Sequence, residues 1–119
     1  EMNYVARLDG LLAQMPENDP LRDNVLLEKA KRTVNLGLRT DMLEDLVEQY
    51  PERDTYIETS YELALSDIQL WRKSDLPPED KKERLAKGLQ ILSELVADNP
   101  DCPFSRLARS TLQSIPSEN

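Results

Sequence analysis

Residues 90–116, QILSELVADNPDCPFSRLARSTLQSIP, place one apolar stripe before a corner containing two prolines and a second stripe after it. An α-helix returns to the same face about every 3.6 residues, so Leu92 and Val96, flanked by Ile91 and Leu95, lie along one side of a helix. Asp98 and Asn99 lead to a stop at Pro100, whose ring blocks continuation. Asp101 is then placed to cap a second helix with Pro103 in its first turn, where a missing amide proton costs nothing. In that helix Phe104, Leu107, Ala108, Leu112 and Ile115 face back to cover the helix before it. The stretch thus reads as helix, corner, returning helix.

The same grammar extends through the chain. Residues 2–15 put Tyr4, Leu8, Leu11, Leu12 and Met15 on one face with Val5 beside it, and Pro16 ends the segment. Asp19 and Pro20 suit a cap and first turn for a second helix over 20–38. Its stripe is Leu27, Ala30, Val34 and Leu38, widened by Val25 and Leu26, with the break expected at Gly37, Arg39 and Thr40. Asp41 with Glu44 resembles a capping box, Thr40 being the alternative cap, for a short helix that turns Leu43, Leu46, Val47 and Tyr50 inward before Pro51. From Asp54 or Thr55, residues Ile57, Tyr61, Ala64, Ile68 and Trp71 recur at steps of four and three, which predicts a buried seam on a helix of about 18 residues. The loop KSDLPPED interrupts the pattern. From Pro78 it resumes with Leu85, Leu89, Leu92 and Val96. No segment alternates with period two in a way that argues for a strand. The expected fold is all-α, antiparallel helical hairpins in either a right-handed stack or a compact bundle, forming one domain over 1–119, whether or not the sequence is a piece of a longer protein.

A faint internal echo accompanies the corners. MLEDLVEQYPERD at 42–54 and ILSELVADNPDCP at 91–103 share apolar, Leu, two polar, Leu, Val, three variable, Pro, and LLAQMPEN is a looser version. Pro16 and Pro51 are 35 residues apart and Pro51 and Pro100 are 49 apart, the longer interval containing the double-proline loop. A period near 34 is that of a tetratricopeptide array. Residues 92–116 resemble degenerate tetratricopeptide units through Leu92, Leu95, Pro100, Phe104 and Ala108, and residues 43–54 resemble the same helix end. The resemblance implies stacked hairpins whose concave surface holds a peptide or a partner helix. Gly88 falls where that family places a small residue, whereas Arg39, at the matching position before Pro51, departs from it. Another helical repeat and a non-repeating bundle remain alternatives.

Composition narrows the chemistry. With 15 Lys and Arg against 23 Asp and Glu, the formal charge of -8 opposes a phosphate backbone, so no nucleic-acid partner is expected. No apolar segment approaches the ~20 residues needed to cross a bilayer, so no membrane partner is expected, and the visible start lacks the basic and apolar blocks of a signal peptide. One cysteine precludes an intrachain disulfide and leaves the compartment open, with the cytosol favoured.

The chain has no His, which excludes Ser-His-Asp and Cys-His catalysis and zinc sites built on imidazole. Cys102 has no evident base and reads as incidental. Asp41, Glu44, Asp45 and Glu48 read as a solvated acidic face, lacking the partner motif of a bundled metal site. Asp98, Asn99 and Asp101 lack the central Gly and distal Glu of a calcium loop. Gly10, Gly37 and Gly88 form no phosphate cradle. Trp71 reads as core, while Arg72 and Lys73 suit the negative end of a helix dipole. The expectation is therefore a non-catalytic interaction module without cofactor or metal that binds a protein or peptide, with a basic partner favoured by the net charge. A homodimer or structural domain is the alternative, and an enzyme with a small-molecule site between helices is a further one. In the tetratricopeptide-like reading, helices over 20–38, 55–73 and 102–115 supply the inner surface. Its candidate contacts are Lys31, Asn35, Glu62, Gln69, Arg72, Arg106 and Arg109.

Overall fold

A computed structural model of the chain describes residues 2–52 and 55–115. Among these residues the protein is all-helical, with α1 (Met2–Gln14), α2 (Arg22–Arg32), α3 (Leu36–Gln49), α4 (Tyr56–Lys73), α5 (Pro78–Asp98) and α6 (Pro103–Ser114) and no strand. None of these helices is long and apolar enough to cross a membrane. The contacts divide the chain into two compact units, Glu1–Thr59 and Ser60–Asn119.

In the first unit α2 packs against both α1 and α3. Its core is Leu8, Leu27, Ala30, Leu43 and Leu46, all members of the expected stripes. Leu11, expected beside Leu8, is instead exposed. The entry to α2 also differs from expectation. Asp19 Oδ1 accepts the Leu21 N–H at 2.8 Å, so Asp19 organises the preceding turn and the helix starts at Arg22.

The largest departure lies between α2 and α3. The helix expected to run to Leu38 stops at Arg32, and the break falls at Thr33, Val34 and Asn35 rather than at Gly37 to Thr40. Thr33 and Val34 are β-branched and weak helix formers, and Asn35 is among the strongest N-caps. Asn35 adopts an extended backbone and its Oδ1 accepts the Leu38 N–H at 2.9 Å. Gly37 is thereby absorbed into the first turn of α3. Thr40 is no cap but a buried residue whose hydroxyl donates to Leu36 O at 2.8 Å, and Asp41 is an exposed mid-helix residue, not part of a capping box. Val34, expected in the core, is 89% exposed, and Leu38 is 54% exposed.

The helix α4 has the expected 18 residues, beginning after Thr55; Asp54 lies outside the described residues. In the second unit Ala64, Ile68, Leu85, Leu92 and Ala108 form the buried cluster, with Tyr61, Trp71, Leu89, Val96 and Leu112 packed on it. At Gly88 the helices approach so closely that a Cβ would lie 2.9 Å from Ile68 Cγ1 and 3.0 Å from Ala64 O. α6 returns against α5. The buried Ser105 hydroxyl donates to Leu95 O at 3.0 Å, and the Phe104 ring lies 5.6 Å from that of Tyr61. The N-cap of α6 is Cys102, without a side-chain bond, and not Asp101; Pro103 does take the first helical position.

The two segments that echo each other in sequence end in the same way. Tyr50 (φ -129°, ψ 55°) and Asn99 (φ -138°, ψ 61°) each donate a backbone N–H at 2.9 Å, to Leu46 O and Leu95 O respectively. Leu43 and Leu92 are fully buried, Leu46 and Leu95 nearly so, and Val47 and Val96 are half-buried in both. The looser version at α1 closes with a tighter turn, Met15 N–H to Leu12 O at 3.3 Å.

Candidate functional site

Lys31 and Asn35 belong to the first unit, and the other candidate contact residues to the second. Lys31 lies at the end of α2 with Nζ 2.8 Å from Glu58 Oε2 and 3.6 Å from Glu28 Oε2, all three side chains about one-third exposed. It bridges α2 to the first turn of α4. Asn35, expected on an inner helix, is occupied as the cap of α3. Glu62 and Gln69 are half-buried on α4 and have interactions of their own. Arg72 is exposed, its guanidinium 5.7 Å from the centre of the neighbouring Trp71 ring. Arg106 is exposed on α6, whereas Arg109 reaches back to donate to Pro100 O at 2.6 Å and so braces the corner that precedes its own helix.

What the stripes did not reveal is an open recess in the first unit. It has a volume of about 570 Å3 and is walled by Val5 and Ala6 of α1, the end of α2, and Val34, Leu38 and Met42. The charged groups at its edge are matched among themselves. Lys29 Nζ is 2.6 Å from Asp9 Oδ1, and Arg32 lies 3.5 Å from Glu28 Oε1 with its guanidinium 4.8 Å over the Tyr4 ring. A recess with an apolar floor and a neutralised rim favours an apolar side chain over a charged one. The signal that could have located it was the run Thr33, Val34, Asn35, a cap motif that turns the following apolar residues outward.

Among the described residues two carboxylates are buried, and the periodicity gives no hint of either. Asp67 on α4 is 1% exposed and is joined by Arg84 of α5 at 3.0 Å, the arrangement that makes a buried charge tolerable. Asp23, also 1% exposed, accepts at Oδ2 from the Thr55 hydroxyl at 2.5 Å, while Oδ1 has no hydrogen-bond partner. The Thr55 bond ties the head of α2 to the start of α4, alongside the Lys31 and Glu58 pair that joins the same helices. Asp23 therefore reads as an inter-helix tie. Cys102 is a free, half-buried thiol, and among the described residues no group of three or more Cys, Asp or Glu is placed to hold a metal ion. Comparison with protein-family models, with curated proteins and with solved structures finds no match to this chain.

Proposed function

We propose that the chain is a non-catalytic interaction module that binds a peptide or a partner helix, assembled from tetratricopeptide-like hairpins. The observation that carries the binding role is the apolar recess between α1, α2 and α3 with Val34 and Leu38 exposed beside it. Isolated exposed apolar residues are ordinary, but a concave group of them invites a partner. The repeat reading draws support from the matched endings of α3 and α5 and from the close pairing of α4 and α5 at Gly88. It draws further support from contacts between alternate helices, α2 with the head of α4 in one unit and α4 with α6 in the other. An array in which each helix touches its next neighbour and the one after has this contact pattern.

The test compares wild type with a Val34→Asp, Leu38→Asp variant, both substitutions being at exposed positions that leave the core intact. Proteins captured from a lysate are cross-linked and the links mapped. Links clustering at Lys29 and lost in the variant are the expected result. Recovery of the same proteins with both chains rejects the recess as a binding surface. A defined dimer with no other protein captured replaces the reading by self-association, and turnover of a small molecule moves the protein to the enzymes.

A further inference from the structure

The second unit holds an opening of about 490 Å3 lined by Trp71 of α4 and by α5. The α5 residues are Pro78, Lys81, Lys82, Leu85, Ala86 and Leu89, whose spacing of three and one puts them on a single helix face. Leu85 is buried and Trp71 and Leu89 are half-buried, forming an apolar floor, whereas Lys82 and Ala86 are exposed. Among the described residues no carboxylate lines the opening, although Glu79, Asp80 and Glu83 are on the same helix.

The two lysines are among the described cations of this acidic chain that no carboxylate neutralises. Lys29, Lys31, Arg84 and Lys87 each have a carboxylate close by, but neither Lys81 nor Lys82 forms an ion pair with any described residue. Helix-dipole stabilisation does not account for them either, because cations are favoured at helix C-termini and these stand near the start of α5. The Arg72 guanidinium, beside Trp71, adds a third positive group to the same neighbourhood. A local pair of unpaired cations flanking an apolar floor is complementary to a ligand with the opposite pattern.

We propose that this groove docks an acidic peptide, one apolar side chain seated on Trp71, Leu85 and Leu89 and flanking carboxylates meeting Lys81 and Lys82. The long lysine stems can line the apolar seat while their ammonium groups reach the peptide's charges. A short segment with a few carboxylates suits the patch better than nucleic acid. A longer polyanion would run from the two lysines onto Glu79, Asp80 and Glu83 and into the field of a chain of formal charge -8. The partner is thus locally opposite in character to the basic one that the net charge alone favours. The inference stands apart from the recess of the first unit and does not depend on it.

The chain contains a single Trp, so Trp71 emission reads occupancy of the groove directly in the whole protein. The probes are Trp-free peptides with Leu or Phe between pairs of Glu and Asp, the same peptides with Lys in place of the acids, and a short oligouridylate. The acidic peptides are expected to change the emission saturably, more weakly as salt is raised, and to lose at least about tenfold in affinity in a Lys81→Glu, Lys82→Glu variant. Lys82→Gln alone, at an exposed position, should weaken binding about threefold, so the test survives should the double variant not fold. Equal or tighter binding of the Lys peptides or the oligouridylate would overturn the proposal. So would no saturable change at about 1 mM acidic peptide, or variants that bind as wild type does.

Discussion

Replacing Gly88 by Ala and Gly10 by Ala should move stability in different directions, although the chemical change is the same. Each adds one methyl group inside a helix, and in an exposed helix that exchange is favourable by about 0.5–1 kcal/mol. Gly10 is exposed on α1 with nothing within 4 Å of the new Cβ, so this gain should appear nearly whole. At Gly88 the Cβ meets Ile68 Cγ1 at 2.9 Å and the Ala64 carbonyl oxygen at 3.0 Å. Carbon atoms pack best at about 3.5–4.0 Å, and a backbone carbonyl cannot swing aside as a side-chain tip does, so α4 and α5 must separate. Overpacking of this kind costs about 1–3 kcal/mol, which leaves Gly88→Ala destabilised by roughly 0–2.5 kcal/mol after the propensity gain. The difference between the two variants isolates the packing cost because the propensity cancels. Urea unfolding followed by circular dichroism measures both, and Trp71 emission follows the unit that contains Gly88. If Gly88→Ala proved as stabilising as Gly10→Ala, the close approach of the two helices would be wrong.

Leu92→Ala, at a fully buried position, should cost about 2–5 kcal/mol in chemical unfolding, and a loss below about 0.5 kcal/mol would place the side chain at the surface. Asn35→Ala should cost about 0.5–2 kcal/mol by removing the cap of α3, while Val34→Ser should stay within about 0.5 kcal/mol; the reverse order would restore the uninterrupted helix. Ser105→Ala should cost about 1 kcal/mol because its buried hydroxyl bonds to Leu95 O, and an unchanged urea midpoint would argue that this bond contributes nothing to the pairing of α5 and α6.

The parts of the fold that were legible in the sequence are those set by strong, local physics. Proline stops, the apolar stripes of α4 and α5 and the length of α4 follow from steric exclusion and burial, which act on each segment by itself. The buried ties were not legible. Asp23 and Asp67 look like any surface carboxylate until Thr55 and Arg84, 32 and 17 residues further on, are brought beside them. Nothing in a helical period encodes which polar residue will meet its partner across a helix pair. Lys81 and Lys82 stand between Asp80 and Glu83 in the sequence, so the linear order shows no net basic patch. On the helix those acids fall outside the lining of the Trp71 groove, a separation that only the three-dimensional face reveals.

The misplaced break and the unanticipated recess are one event. Leu27, Ala30, Val34 and Leu38 keep helical spacing, so the pattern alone carries the core stripe through Val34 to Leu38. Capping competes with that pattern and wins where the burial cannot be realised. A good Asn cap contributes about 1 kcal/mol, whereas leaving a Val exposed forfeits about 1.5–3 kcal/mol of burial that is available only if a neighbour lies there to cover it. Beyond Arg32 no such cover exists on this unit, since Val34 is 89% exposed, and the cap therefore decides where the helix ends. Once Asn35 restarts the helix, the stripe is reset: Leu43 and Leu46 turn into the core, while Val34 and Leu38 are left to flank the opening beside α1. If that reasoning holds, Asn35→Ala, which removes the cap's acceptor, should cost the Leu38 N–H its bond to the side chain and lower its protection from hydrogen exchange. Hydrophobic-dye binding at the recess should fall with it, and unchanged protection together with unchanged dye binding would separate the cap from the recess and sink the link between them.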